Sequence, residues 1–309
     1  MFFEGSEKKI ELIVTPETPS LRSLGRPFWE TMVGKAHAEI LSSVSNEHCD
    51  AYLLSESSLF VWDNHFLMLT CGTTTLVHAA THFIDTLGSD AVAFLSYQRK
   101  NEYLAHLQTS SFEDDLKRLR QKISGHAYRI GHLDSHHHYI FYTDKPYQAE
   151  PNDITNELLM YHISGDTADY LRSTGQQIEQ IRQRLQFSSL LGDFAIDDFL
   201  FEPFGYSVNG IRGKEYFTIH VTPQEDSSYV SFETNLALTG NHSELFAAVL
   251  HALQPGSWDI IGFNSPANTL GFPAHHRLGQ SSMTLEQGYE LSFSHYQRCE
   301  HEYLWPTRL

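Results

Sequence analysis

The spacing of apolar and polar positions changes along the chain, and the changes predict its elements. Residues 2–14 alternate: Glu7, Lys9 and Glu11 fall on one side and Ile10 and Leu12 on the other, as in a half-buried strand. Over residues 28–43 the spacing becomes helical, with Trp29, Met32, Val33, Ala36, Ile40 and Leu41 on one face and Pro27 at the start. Two apolar runs, 51–54 and 59–62, flank the polar Ser55-Glu56-Ser57-Ser58, the pattern of a hairpin. Residues 66–69 continue as strand into Thr70-Cys71-Gly72. Residues 73–87 predict a helix stopped by Gly88, 91–97 a buried strand, and 112–123 a helix with Ser111 as cap and Asp114 three residues on.

The second half reads less cleanly. Residues 127–142 suggest a hairpin turning near Asp134-Ser135. Residues 154–163 and 175–190 are expected to be helices, and 165–174 has no clear period. Residues 195–235 hold a strand, a hairpin through Arg212-Gly213-Lys214, and another strand. A helix at 243–253, capped near Asn241, stops at Pro255-Gly256, and strands at 259–263 and 283–296 follow. The order strands, helix, strands recurs in both halves. That suggests an internal duplication, although no residue-level repeat is visible. Many antiparallel strands with few long helices predict one α+β domain over residues 1–309, with helices on the outer sheet faces.

Composition narrows the function. With 309 residues, 41% hydrophobic and 13% aromatic, the chain can bury a large core. No apolar run has the length of a membrane span, and no basic start leads into an apolar stretch, so neither a membrane nor a secretory route is expected. Three cysteines, Cys49, Cys71 and Cys299, make no disulfide framework and fit a reducing, cytoplasmic setting. The net charge of −17 disfavours nucleic acid and mildly suits a cationic substrate such as a sulfonium, but an acidic solvated surface explains it better. His136-His137-His138 and His275-His276 have no cysteine or carboxylate at zinc spacing, so no metal is expected.

A Ser-Glu-Ser-Ser hairpin tip is ordinarily just solvated. Its surroundings are more specific. Met1-Phe2-Phe3-Glu4-Gly5-Ser6-Glu7-Lys8 opens the chain and Thr70-Cys71-Gly72-Thr73-Thr74 follows the hairpin. Later come Gly205-Tyr206-Ser207-Val208-Asn209-Gly210, Thr218-Ile219-His220-Val221-Thr222-Pro223 and Ser231-Phe232-Glu233-Thr234-Asn235. In this order, over residues 1 to about 235, they resemble the eukaryotic-type S-adenosylmethionine decarboxylase proenzyme family. The resemblance implies a four-layer α/β/β/α sandwich with two antiparallel sheets. It also implies self-cleavage at Glu56-Ser57 into a β chain, 1–56, and an α chain, 57–309. The chemistry is an N-to-O acyl shift by the serine hydroxyl, then elimination and hydrolysis to a covalent pyruvoyl group. Such a group forms a Schiff base with the substrate amine and draws off electrons as carbon dioxide leaves.

Further roles follow from the same resemblance. Cys71 is the acid that reprotonates the substrate carbon; its place between a strand end and a helix start favours the thiolate. Ser207 and His220 assist processing, with His220 removing the α-hydrogen of Ser57. Glu4 and Glu7 match acidic positions of the opening motif, and Glu7 is a catalytic candidate. Phe3 and Phe201 clamp the adenine ring, Leu54 and Glu56 line its pocket through their backbone, and Glu233 takes the ribose hydroxyls. Lys8, Glu11, Asp153, Thr155 and Glu157 resemble a diamine site that stimulates animal members, but Leu69 stands where that site has a lysine. Cys49 and Cys299 match no motif. The partners expected are S-adenosylmethionine and the chain's own two fragments; a homodimer is left open. Two rivals remain: pyruvoyl chemistry on a free amino acid such as arginine or ornithine, and a non-catalytic regulatory paralogue.

Overall fold

A computed structural model of the chain describes residues 3–265, 275–299 and 306; Met1 and Phe2 of the opening motif and the side chain of Asn241 lie outside that description. β1 (Lys8–Val14) forms the middle of the first sheet, and α1 (Gly25–Lys35) follows it. Then come β2 (Ile40–Ser45), β3 (Asp50–Leu54), β4 (Ser57–Val61) and β5 (His65–Thr70). α2 (Leu76–Leu87), β6 (Val92–Lys100), α3 (Phe112–Arg120), β7 (Gly125–Gly131) and β8 (His137–Thr143) complete the half. The strand order is β2-β3-β4-β5-β1-β6-β8-β7.

The second half opens with β9 (Thr155–Tyr161) and the helices α4 (Gly165–Arg172), α5 (Ile178–Arg184) and α6 (Phe187–Leu190). β10 (Ala195–Leu200), β11 (Tyr206–Arg212), β12 (Glu215–Thr222) and β13 (Tyr229–Thr234) follow. α7 (Leu245–Leu253), β14 (Ser257–Phe263), β15 (His275–Thr284) and β16 (Glu290–Arg298) close it. The order here is β10-β11-β12-β13-β9-β14-β16-β15. Adding eight to each strand of the first sheet reproduces it, which is the signature of a duplicated unit. Neighbouring strands pair antiparallel in both sheets.

Alternation along the central strands builds four layers. Ile10, Leu12 and Val14 of β1 pack with Trp29 of α1, Phe83 of α2 and Leu119 of α3 on one outer face. Leu158 and Met160 of β9 pack with Leu171 of α4 and Val249 of α7 on the other. Each such fully buried side chain contributes roughly 1.5–3 kcal/mol. The inner faces meet through two smaller apolar clusters, one around Ile13, Tyr161 and Phe293 and one around Phe60, Leu69 and Tyr216. Charged pairs also cross the gap: Lys9 to Glu157 and Glu233, and Lys100 to Asp259.

Several expected elements change. Residues 154–163 form strand β9, not a helix. All seven of its residues are buried, and a strand covered on both faces loses the alternation that would reveal it. The helix expected over 28–43 stops at Lys35. His37 turns the chain at φ 61°, and Ile40 begins a strand with alternating burial. The helix expected over 175–190 is two short helices broken at Gln186, whose φ is 58°. Residues 165–172 are helical despite the missing period. The strand expected over 283–296 is the turn and second arm of the β15–β16 hairpin. The Ser111–Asp114 capping box is present as expected, whereas α7 starts only at Leu245.

Candidate active site

β3 and β4 close on the pair Leu54–Ser57, leaving Ser55 and Glu56 as a two-residue tip. Ser57 sits at φ 141°, a region nearly restricted to glycine, at a cost of order 1–3 kcal/mol. It is buried, and its Oγ has no hydrogen-bond partner. The Glu56 carbonyl accepts the Cys71 N–H at 2.9 Å, and the Cys71 thiol lies 3.3 Å from the same oxygen. A strained serine with an idle hydroxyl therefore adjoins a carbonyl that already has donors on its oxygen.

A cavity of about 780 Å³ opens beside this tip. Of the residues expected at the site, Phe3, Glu56, Ser57, Cys71, Phe201, Ser207 and His220 all line it. The Leu54 side chain does not; it is in the core beneath the helices. Gly72 makes the tip possible. Its φ is +66°, and an added Cβ would stand 3.0 Å from Glu56 Oε2 and 3.1 Å from the Phe3 ring.

Ser207 and His220 are cross-strand partners on β11 and β12, with His220 Nδ1 2.8 Å from Ser207 Oγ. Burial pushes the His220 imidazole down to about 3, so the ring is neutral at physiological pH. The thiolate expected at Cys71 is not favoured. Burial, then the Glu56 and Glu7 carboxylates, raise its thiol well above the usual range. α2 begins only at Leu76, so no helix terminus adjoins the sulfur. A protonated thiol suits an acid better than a nucleophile. Burial also raises the Glu56 carboxyl to about 7, while Lys8 opposes it.

Three expected site residues lie elsewhere. Glu233 is 2% exposed and held by Lys9 at 2.9 Å and the Tyr216 hydroxyl at 2.6 Å, so it has no face for ribose hydroxyls. Lys8 faces the outer side of its strand and donates to the Gly72 carbonyl and Gln108. Glu7 accepts from Ser231 Oγ at 2.7 Å in the sheet gap and does not line the cavity; in its ionised form it raises the Cys71 thiol. What sequence reasoning missed at the cavity is Gln224, whose Oε1 accepts from Phe3 N–H and Ser227 Oγ. Its signal was available: it directly follows Thr-Ile-His-Val-Thr-Pro.

The expected diamine residues Glu11, Asp153 and Glu157 do come together, with Glu233 among them; Thr155 is buried on the same strand as Glu157. Lys9 stands in their midst, 2.8 Å from Glu157. It is the direct cross-strand partner of Leu69. The charge expected at position 69 is thus carried one strand away. Burial, then Asp153, raises the Glu11 carboxyl. Farther along the gap, His136, Asp259 and His295 offer ligand atoms within 4.8 Å of one another, a grouping far apart in sequence. Asp259 is already paired there with the Lys100 ammonium.

A duplicated α/β/β/α sandwich with a strained serine hairpin at the mouth of a cavity between its sheets is the class this geometry defines. The chain belongs to the adenosylmethionine decarboxylase family, whose profile matches residues 1–305. It is 35% identical over 288 residues to the S-adenosylmethionine decarboxylase proenzyme of Trypanosoma cruzi, covering 87% of this chain and 77% of that protein. The Dictyostelium discoideum protein of the same name is 30% identical over 329 residues, covering 96% and 86%. A crystal structure of the Trypanosoma brucei AdoMetDC-delta26 monomer superposes with a TM-score of 0.59 at 27% identity, covering 78% of this chain and 98% of that one.

Burial lifts the Glu7 carboxyl from 4.5 to about 8, against the opposing Ser231 hydrogen bond. A raised acid favours the folded chain below its unfolded value, and that contribution is lost as pH rises from about 4.5 through 8. Glu7→Gln keeps an acceptor for Ser231 but cannot ionise. Urea midpoints of Ser57→Ala protein, with and without Glu7→Gln, should diverge with rising pH, the Gln variant losing less stability. Parallel curves would show that Glu7 does not hold its proton.

Proposed function

We propose that the chain cuts itself between Glu56 and Ser57 and then decarboxylates S-adenosylmethionine with the pyruvoyl group left on residue 57. The observation that carries the reading is Ser57: strained, buried, with an unpartnered hydroxyl beside the held Glu56 carbonyl. Attack of Oγ on that carbonyl puts negative charge on its oxygen, where the Cys71 N–H already donates. The Oγ proton passes to the amide nitrogen as the C–N bond breaks, giving an ester and relieving the backbone strain. Removal of the Ser57 α-proton expels the Glu56 carboxylate, and hydrolysis releases ammonia. The base assigned to this step is His220, neutral, against Ser207 and 3.2 Å from the hydroxyl of the neighbouring Ser58. The name proenzyme on the relatives agrees with such a step.

The pyruvoyl group, once formed, supplies an electrophilic carbonyl for the substrate amine and a sink for the electrons of the broken carbon–carbon bond. The residues around position 57 fit it: the tip faces the cavity, and Cys71 is a protonated acid beside it. Phe3 and Phe201 offer aromatic faces to a purine. Gln224 offers a carboxamide to ribose hydroxyls in place of Glu233. Glu56, Glu202, Glu225 and Asp226 make the wall acidic, and the Arg172 guanidinium there is engaged by the Pro223 and Ile163 carbonyls. Such a wall suits a sulfonium. The two fragments stay interlocked, because β1 and β3 remain paired with β5, β6 and β4.

Denaturing mass spectrometry tests the first step. Purified protein should give fragments 1–56 and 57–309, the second without a free amino terminus, and Ser57→Ala should remain whole and inactive. A single uncut chain in active protein ends this reading. Carbon dioxide release from S-adenosylmethionine, arginine and ornithine, measured side by side, tests the substrate; release from an amino acid alone would replace it.

Cys71→Ala keeps the backbone N–H and so should still cut, while losing about 10²–10⁴-fold in turnover for want of the acid. Unchanged turnover would return Cys71 to a packing role.

Lys9 already places a cation among Glu11, Glu157 and Glu233, so putrescine should stimulate decarboxylation weakly or not at all. A several-fold rise in rate on adding putrescine would show that the acidic cluster still needs a second cation.

A further inference from the structure

His220 can carry its proton on either ring nitrogen, and the bare nitrogen is the one that can act as a base. The two face different partners. Nδ1 lies 2.8 Å from Ser207 Oγ, at the cavity. Nε2 lies 2.8 Å from Thr218 Oγ1 and 3.2 Å from Ser58 Oγ, in the gap between the sheets. Each hydroxyl has one proton to donate. Both face Asn209 Oδ1, which is 2.5 Å from Ser58 Oγ and 3.0 Å from Thr218 Oγ1, while the two hydroxyl oxygens lie 3.3 Å from each other. The 2.5 Å contact fits O–H···O and is too short for N–H···O, so the amide oxygen is the atom turned towards Ser58. When both hydroxyl protons go to Asn209, the two oxygens present lone pairs to Nε2. That arrangement puts the ring proton on Nε2 and leaves Nδ1 to accept from Ser207.

We propose that Asn209 is a positioning residue for self-cleavage: it fixes His220 as the Nε2–H tautomer and so makes Nδ1, on the Ser207 side, the atom that takes the proton. The inference rests on the self-cleavage reading above. Asn209 is fully buried, stands opposite Thr218 in the ladder, and is not among the residues that line the cavity. Burial keeps the ring neutral, so the choice lies between two neutral forms. In the elimination, the C–H electron pair of Ser57 becomes the Cα=Cβ bond, the Cβ–O bond breaks and Glu56 leaves as carboxylate. The proton reaches Nδ1 along the Ser207 hydroxyl, which gives its own proton to the ring as it takes the one from carbon.

The first arm of the test reads the tautomer. Proton–nitrogen correlation spectra of uncut Ser57→Ala protein with isotope-labelled histidine, assigned by loss of signal in His220→Asn, should show Nε2 protonated and Nδ1 bare. The opposite pattern overturns the proposal. The second arm times cleavage of the full chain. Asn209→Leu, similar in size but without the acceptor, should slow cutting by about 10²-fold, the low end of positioned acid–base assistance. Thr218 guards against a mere folding defect: Thr218→Ser should cut near the native rate, and the isosteric Thr218→Val several-fold slower. Equal rates for the two Thr218 variants, or native cutting by Asn209→Leu, overturn the role of Asn209. Failure of the native chain to cut would instead remove the self-cleavage reading, and the spectrum would still decide the tautomer.

Discussion

Lys9 closes the sandwich where neither sheet offers an apolar face. Its ammonium lies within 3 Å of Glu157 and Glu233, on two strands of the opposite sheet. Taking these charges out of water is costly, and their attraction offsets that cost only with good geometry. Burial, and after it the neighbouring carboxylates, raises the Glu7 and Glu11 carboxyls. The gap therefore holds protons as well as ion pairs. Glu7 also raises the Cys71 thiol, after burial and Glu56, which links the centre of the sandwich to the cavity at its edge.

Duplication explains how that edge is assembled. The β3–β4 and β11–β12 hairpins are equivalent in the two sheet orders. They face each other head to tail. Ser58, beside the first tip, meets His220 near the open end of the second hairpin; Trp62, just past β4, donates to Lys214 in the second tip. One copy of the unit thus supplies the serine and its strained turn, and the other supplies the imidazole with its Ser207 and Thr218 partners. Neither half contains the full set.

The sequence carried the site better than the fold around it. The Glu56 tip, Cys71, Ser207 and His220 were legible because each sits in a short word whose chemistry is local. Glu233 was misplaced because a buried carboxylate in a conspicuous word has no sequence mark saying which face of its strand it occupies or which cation it meets. Lys9 escaped notice for the complementary reason: it reads as the polar side of an alternating strand, and only the register opposite Leu69 reveals its role. β9 was mistaken for a helix because burial on both faces erases period two. The sheet order would have corrected this, since β9 is the equivalent of β1, but the order is not visible until the strands are paired.

Burial at the cavity gives it an acid and a base that are both neutral at rest. The Cys71 thiol is held protonated and the His220 ring unprotonated by the same cause, removal from water, which penalises whichever form is charged. Neutral groups cost little to bury and gain charge only as a proton moves, when the developing charge can be met by a local donor such as the Cys71 N–H or the Ser207 hydroxyl. The Ser57 hydroxyl fits the same scheme, being buried without a partner. Its idle proton raises the energy of the hairpin tip without adding a charge, and the backbone strain at the same residue adds to it.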